Sequence, residues 1–441
     1  LKPNKLAEPW KGDKRFTAIA TRAAALKKSG NSVEAIQAAL TAEFGPPRTL
    51  EQLRETPQPY VVYHDPGDPI EPHAIAQLEL ALRLPIAVRG ALMPDAHPGY
   101  ALPVGGVFAT YNAVAPAMVG VDIGCRMHLT IFDTDPAEFT QQRPQLLTDL
   151  RETTLFGAGV SRKKPLDHDI LDDPRWQLTS QLRGLHERAP YQLGTSGSGN
   201  HFANLVIGER LTDTPELPAH FCGLLTHSGS RGIGYAIANN YIRLATQATQ
   251  QIAKVPKMYE WLDLASEAGQ EYWQAMELAG DFARACHEVI HASFARRAKL
   301  RPLTVIENHH NFAWREGDLI VHRKGATPAH TGELGVIPGS MASASYIVAG
   351  RGNPDALHSA AHGAGRRGAR WQAREQISPR EVRDQLARYD VLVEGLSVEE
   401  APQAYKNIEQ VMQIQIAAGL VQPLARLRPI AVIMASEEGD D

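Results

Sequence analysis

Five turn-like segments of this chain carry residues able to bind a metal ion or a phosphate: MPDAHPGYALPVGG (93–106), VGVDIGCR (119–126), GTSGSGNHF (194–202), THSGSRGIG (226–234) and ENHHNF (307–312). A sixth, HGAGRRGAR (362–370), sets a lone histidine, His362, before glycines and three arginines. Glycine lets backbone amides approach an anion closely, and arginine offers forked donors to phosphate oxygens. Asp122 and Cys125, three residues apart in a Gly-rich turn, are placed to converge on one ion. His201, His227 and His310 stand in equally tight Gly, Asn and Ser contexts that helices and strands seldom need. One thiolate, one carboxylate and three imidazoles are enough for two divalent ions with the thiolate bridging, and metals paired ~4 Å apart serve in-line chemistry at phosphorus. Ligand type alone admits Zn, Mn, Fe or Co.

Other candidates are weaker. Cys125 has no partner cysteine nearby, which excludes a structural zinc knuckle. Cys286, His287 and His291 fall in an expected helix, where the two histidines share a face, and they are read as ordinary packing. His128 and His291 each begin an H-x-T/S pattern, but the second lies in that helix rather than on a strand. Neither GxxxxGK[S/T] nor a lysine in a K-x-D-G setting occurs, so P-loop and lysine-dependent ligase chemistries are set aside.

The elements that must position these residues divide unevenly. Residues 1–55 hold ten Lys/Arg and six Asp/Glu, net +4, so the remainder is −8 within a total of −4. In this basic helical extension a helix is expected over 16–28, and a second over 33–44, capped by Asn31 or Ser32 and ended by Gly45-Pro46-Pro47. It is read as an appendage on the main body rather than as a nucleic-acid reader, because no residue pattern identifies a reading helix. From residue 56 to 441 short β-branched runs alternate with Gly/Pro turns, with strands expected at 61–63, 106–110, 205–208, 303–306 and 318–322. A helical insertion is expected at about 239–300. The fold class is therefore α+β, mixed sheets packed with helices around a central pocket. Only the final SEEGDD looks frayed.

With 441 residues, 43% apolar and 21% charged, and a mean hydropathy of −0.27, the composition is that of a soluble globular chain. The most apolar stretch, 104–124, is broken by Thr110, Asn112, Pro116 and Asp122, so no membrane association is expected. Three cysteines and a start unlike a signal peptide fit a cytoplasmic location. The net charge of −4 gives no global attraction to nucleic acid, so a polyanion site must be a local patch.

These motifs, together with HRKGATPA, IPGSMASASYIV, HGAGR and EAPQAYK, occur in the order of the RtcB family of RNA-splicing ligases, which the chain resembles from about Tyr60 to Ile433. The resemblance implies an RtcB-like fold and a ligase dependent on two Mn2+ ions and on GTP. Such a ligase joins RNA ends bearing a 3'-phosphate or 2',3'-cyclic phosphate to a 5'-hydroxyl, in RNA repair or tRNA splicing. It implies that His362 attacks the α-phosphorus of GTP and becomes guanylylated, that GMP passes to the RNA 3'-phosphate, and that the 5'-hydroxyl displaces it. Carried over, Cys125 bridges the two ions, with Asp122 and His201 completing one site and His227 and His310 the other. Asn200 contacts the nucleotide phosphates, and Arg231, Arg366 and Lys324 suit the triphosphate or the RNA 3'-phosphate. The scheme has room for an activating protein partner. Asn204 and Met434 stand where the family usually has a glutamate and a lysine associated with reading guanine, Cys286-His287 replaces an Asn-Arg pair, and residues 1–55 are an addition. Two other readings stay open: a dimetal phosphoesterase trimming RNA ends, and a catalytically silent RNA- or nucleotide-binding paralogue.

Overall fold

Short runs rich in valine, isoleucine and leucine, separated by Gly- and Pro-bearing turns, fold into two large sheets with helices packed on them. The computed structural model describes residues 2–10, 13, 15–47, 50–215, 217–368 and 370–435. An eight-stranded sheet runs in the order Leu334–Ile337, Ser345–Gly350, Val421–Met434, Phe202–Arg210, His220–Ser228, Arg126–Phe132, Pro302–His309, with Leu392–Glu394 added in parallel beside Val421–Met434. A five-stranded sheet runs Tyr60–Val62, Ala87–His97, Val104–Tyr111, Leu319–Lys324, Phe312–Glu316. The architecture is mixed α and β with several sheets, as short β-branched runs before and after a helical segment anticipate.

Three of the five expected strands fall inside longer ones, 205–208 within Phe202–Arg210, 303–306 within Pro302–His309 and 106–110 within Val104–Tyr111, while 61–63 and 318–322 each overrun Tyr60–Val62 and Leu319–Lys324 by one residue. Arg126–Phe132 is buried at every position and His220–Ser228 at all but its first, so neither shows the apolar–polar alternation of a half-exposed strand. The chain crosses from one sheet to the other at His310–Asn311, between Pro302–His309 and Phe312–Glu316. Asn311 takes a left-handed conformation there, with φ of 56°, which asparagine tolerates better than most residues.

Two long helices, Arg231–Thr249 and Glu267–Ala298, occupy and flank the segment read as helical. Ser266 caps the second by accepting from the backbone N–H of Gly269. Both helices bury one face in a core that includes Ile233, Ile237, Tyr241, Tyr272, Met276 and Phe282. At the other end of the chain, Phe16–Lys28 and Val33–Phe44, the latter capped by Ser32, close a small core of Ile19, Ala23, Ile36 and Leu40 with Leu6 and Trp10 from the short turns before them. The segment that follows is tied down where Arg54 donates to the carbonyl oxygens of Leu84, Pro85 and Ala87. Among the described residues no helix is long and apolar enough to cross a membrane.

Candidate metal and nucleotide site

Asp122 and Cys125 lie in the turn that leads into Arg126–Phe132, the strand between His220–Ser228 and Pro302–His309 in the eight-stranded sheet. His201 immediately precedes Phe202–Arg210, His227 sits near the end of His220–Ser228, and His310 follows Pro302–His309. Neighbouring strands of one sheet thus bring five donors from four sequence segments to one edge. Cys125 Sγ lies 3.2 Å from His227 Nε2 and 3.4 Å from His201 Nε2. His227 Nε2 lies 3.2 Å from His310 Nε2, and His201 Nε2 lies 3.0 Å from Asp122 Oδ2. The donors form two overlapping groups that share the sulfur: Cys125, His227 and His310, and Asp122, Cys125 and His201. Gly229 leaves room for the Asp122 carboxylate, which a Cβ there would displace.

Electrostatics favours a cation at this place. Burial pushes His227 down to about 3 and His310 well below its ordinary range, so both imidazoles are neutral and present lone pairs. The N–H at His227 Nδ1 donates to the Asn200 carbonyl 3.0 Å away, which leaves Nε2 as the free lone pair facing the cluster. Burial opposes ionisation of Asp122, yet His201, the Cys125 thiol and Arg231 outweigh it and hold its carboxyl well below the usual carboxylate range. Burial, with Asp122 beside it, pushes the Cys125 thiol well up, a preference that a divalent cation at the sulfur reverses by taking the thiolate. His227 Nε2 and His310 Nε2 face each other at 3.2 Å beside the shared sulfur, and His310 Nδ1 is buried without a hydrogen-bond partner. The residues present therefore fit one or two divalent ions of borderline softness.

His362 follows the short strand Ser359–Ala361, and its ring centroid lies 4.8 Å from that of His310. Its Nδ1–H donates to Asp95 Oδ2 at 2.8 Å. Asp95 is completely buried in Ala87–His97, on the five-stranded sheet, and Lys406 pins that strand by donating to the carbonyls of Pro94 and Ala96. A carboxylate only accepts, so the imidazole proton is held on Nδ1 and Nε2 keeps its lone pair. Asp95 was visible in the 93–106 motif but had no assigned role. It meets His362 across 267 positions of sequence, and no local signal connects the two.

Both groups open onto a cavity of about 590 Å3. Lys324 lines it with a buried ammonium that has no hydrogen-bond partner and that burial pushes down to about 8. Arg366 also lines it, 3.3 Å from Glu400 and 5.5 Å from the centre of the Tyr405 ring, whose hydroxyl donates to Glu400. The Asn200 side chain lines the same cavity, whereas Arg231 stands beside the metal cluster, its Nη1 3.4 Å from His201 Nδ1. One cavity wall is a patch of two paired strands, with Phe202 opposite Met434 and Asn204 opposite Val432. Asn204 Oδ1 is buried without a partner, and among these four side chains it belongs to the single polar group. The SEEGDD tail lies outside the described residues. His287 and His291 are not part of the metal cluster; they form a buried hydrogen-bonded chain behind it.

Comparison with known proteins agrees with this architecture. The family model described as tRNA-splicing ligase RtcB matches residues 77–187 and 174–435. The chain is 33% identical over 384 residues to the RNA-splicing ligase RtcB2 of an Escherichia coli strain, covering 83% of this chain and 93% of that protein. It is 32% identical over 425 residues to the RNA-splicing ligase RtcB of Mycobacterium tuberculosis (79% and 98% covered), and 30% identical over 422 residues to the tRNA-splicing ligase RtcB of Thermococcus kodakarensis (77% and 86%). A match of this extent, over both sheets and every segment that supplies the cluster, means that the chain belongs to the RtcB family of tRNA-splicing ligases.

Proposed function

We propose that this protein is an RNA ligase that joins a 3'-phosphate or 2',3'-cyclic phosphate end to a 5'-hydroxyl end through a nucleotidyl group carried on His362, with GTP as nucleotide and two Mn2+ ions in the Cys125 cluster. The observation that carries this reading is the pairing of His362 with Asp95, which leaves Nε2 free on a cavity lined also by four of the five donors and by a lysine without a hydrogen-bond partner. Asp122, Cys125, His201, His227 and His310 would hold the metals, whose chemistry is to neutralise charge on phosphate oxygens. In this scheme His362 Nε2 attacks the α-phosphorus, a P–N bond forms, and pyrophosphate leaves. Asp95 holds the proton at Nδ1 throughout and stabilises the charged ring that results. Lys324 and Arg366 receive phosphate oxygens, with Asn200 beside them. A 3'-phosphate oxygen then takes the nucleotidyl group from His362, the P–N bond breaks, and attack by the 5'-hydroxyl on the RNA phosphorus expels GMP. A cyclic end enters the scheme after water opens its ring.

The same reading takes residues 1–55 as an appended helical unit and 56–441 as the catalytic body, works in the cytoplasm on RNA, and accommodates an activating protein. The test is incubation of the purified protein with Mn2+ and labelled GTP, followed by a search for an acid-labile protein adduct. The adduct should form in the unaltered protein and be absent in His362→Ala, which should still bind metal and still seal RNA supplied with a preformed nucleotide on its 3'-phosphate. Sealing of RNA without any adduct would overturn the scheme.

A further inference from the structure

Behind the metal cluster lies a row of buried polar groups that the proposed chemistry does not use. Thr130 on Arg126–Phe132, Thr226 and Ser228 on His220–Ser228, and His287 and His291 on the helix Glu267–Ala298 are all almost fully buried. His287 Nε2 lies 3.1 Å from the Ser228 carbonyl and its Nδ1 2.5 Å from Thr226 Oγ1. Thr226 Oγ1 lies 2.8 Å from His291 Nε2, and His291 Nδ1 lies 2.7 Å from Thr130 Oγ1.

The direction of every bond in this row follows from its end. A carbonyl only accepts, so His287 carries its proton on Nε2 and donates it to Ser228. Burial holds His287 and His291 neutral, well below the ordinary histidine range. His287 Nδ1 is then an acceptor, and the single Thr226 hydroxyl proton goes to it. Thr226 Oγ1 must accept from His291 Nε2–H, and His291 Nδ1 must accept from the Thr130 hydroxyl. No other arrangement satisfies all four bonds, so one carbonyl fixes both tautomers.

The helix that carries these histidines is also the backing of the metal turn. Gly280, Arg284, His287 and His291 are spaced four, three and four residues apart, which puts them on one face. Gly280 presses on the turn between Asp122 and Cys125, since a Cβ on Gly124 would fall 2.7 Å from its Cα. Arg284 pairs at 2.9 Å with Glu307, which also holds Arg126, the residue after Cys125, at 2.8 Å. His287, two turns along from Gly280, reaches Ser228, the residue after His227. One helix face therefore touches the backbone beside two of the cluster's donors.

We propose that the chain Thr130–His291–Thr226–His287 fixes the backbone at Ser228 and through it the approach of His227 to the metal, which makes His287 a positioning residue of the centre. The proposal rests on the metal centre assigned above. It is tested on the full-length protein with cobalt(II) as the probe, reading the thiolate-to-cobalt absorption and the affinity by chelator competition. His287→Leu should weaken cobalt binding roughly tenfold, the lower end of what the loss of an outer partner costs. Thr226→Val, which keeps shape and breaks the chain in its middle, should do the same and serves in its place if the leucine variant does not fold. His287→Gln, whose amide N and O are spaced like the ring nitrogens, should recover affinity to within about threefold of the unaltered protein. Nitrogen NMR of the unaltered protein should find the His287 proton on Nε2. Variants that bind cobalt like the unaltered protein, a glutamine variant as weak as the leucine one, or a proton on Nδ1 would each overturn the proposal. Absence of any thiolate–cobalt band in the unaltered protein would instead overturn the metal centre, and this inference with it.

Discussion

Replacing Asp95 by asparagine removes one charge and no volume, yet it should slow nucleotide transfer to the protein by roughly a thousandfold. In the unaltered protein the carboxylate accepts from His362 Nδ1 at 2.8 Å in a fully buried setting, and the ring has one tautomer available. An amide at the same place can turn its NH2 toward Nδ1, which moves the imidazole proton to Nε2 and takes away the lone pair that must attack phosphorus. The smallest expected loss is that of one charge-assisted hydrogen bond, about 1.5–3 kcal/mol. The largest is a complete reversal of tautomer, which in a triad of the same logic costs about 10⁴ in rate, or ~5 kcal/mol at 1.36 kcal/mol per decade. Asp95 Oδ1 has no hydrogen-bond partner and lies against Gly105, so no other interaction holds the amide in the accepting orientation, and the expected loss falls between these limits at ~4 kcal/mol. The assay is single-turnover formation of the labelled adduct at saturating metal, with metal affinity measured in parallel. Because Asp95 is outside the donor set, metal affinity should not change. An asparagine variant that forms adduct within tenfold of the unaltered rate would refute the orienting role.

Three further outcomes follow from the same geometry. Cys125→Ala should abolish adduct formation and strip both ions, whereas alanine at any one of the three histidines should leave part of the bound metal, since only the sulfur belongs to both donor groups; metal analysis decides it. GTP and ATP in direct competition should label the protein within about tenfold of each other, because the wall bearing Asn204 and Met434 offers one amide and no charge with which to reject the wrong base; labelling by GTP alone would contradict this. Removing residues 1–47 should leave the salt dependence of RNA binding unchanged, since the segment closes a small core of its own and no residue pattern in it marks a nucleic-acid reader. A slope lowered by roughly 0.7–0.9 per lost contact would show that the segment touches RNA phosphates.

The donors of the candidate metal cluster were legible because their chemistry is local. Cysteine, aspartate and histidine in turns full of glycine have few structural reasons to be there, and such turns end at strands that are themselves short and apolar. Much of the fold was legible for a related reason, as the helices Phe16–Lys28 and Val33–Phe44 announce themselves by composition and by a Ser32 cap. The strands Arg126–Phe132 and His220–Ser228 were not, because burial on both faces erases the period of two on which such a reading depends. Asp95 escaped because its role is set by a partner in another sheet.

His287 and His291 pack on a buried helix face and belong to neither donor group, as their spacing suggested, but the partners of their rings were not legible. Two histidines one turn apart on a buried helix face do pack, as the sequence suggests, but packing alone leaves four ring nitrogens without partners in a medium where each costs free energy. They can be buried there only because two threonines on the adjoining strands and one carbonyl supply acceptors and donors in the one order that satisfies every group. Helical spacing marks which residues share a face, and it carries no record of what that face meets. Where the opposing strand also carries metal donors, a polar helix face becomes part of the site's support, and its histidines are bound by the same geometric demands as the ligands in front of them.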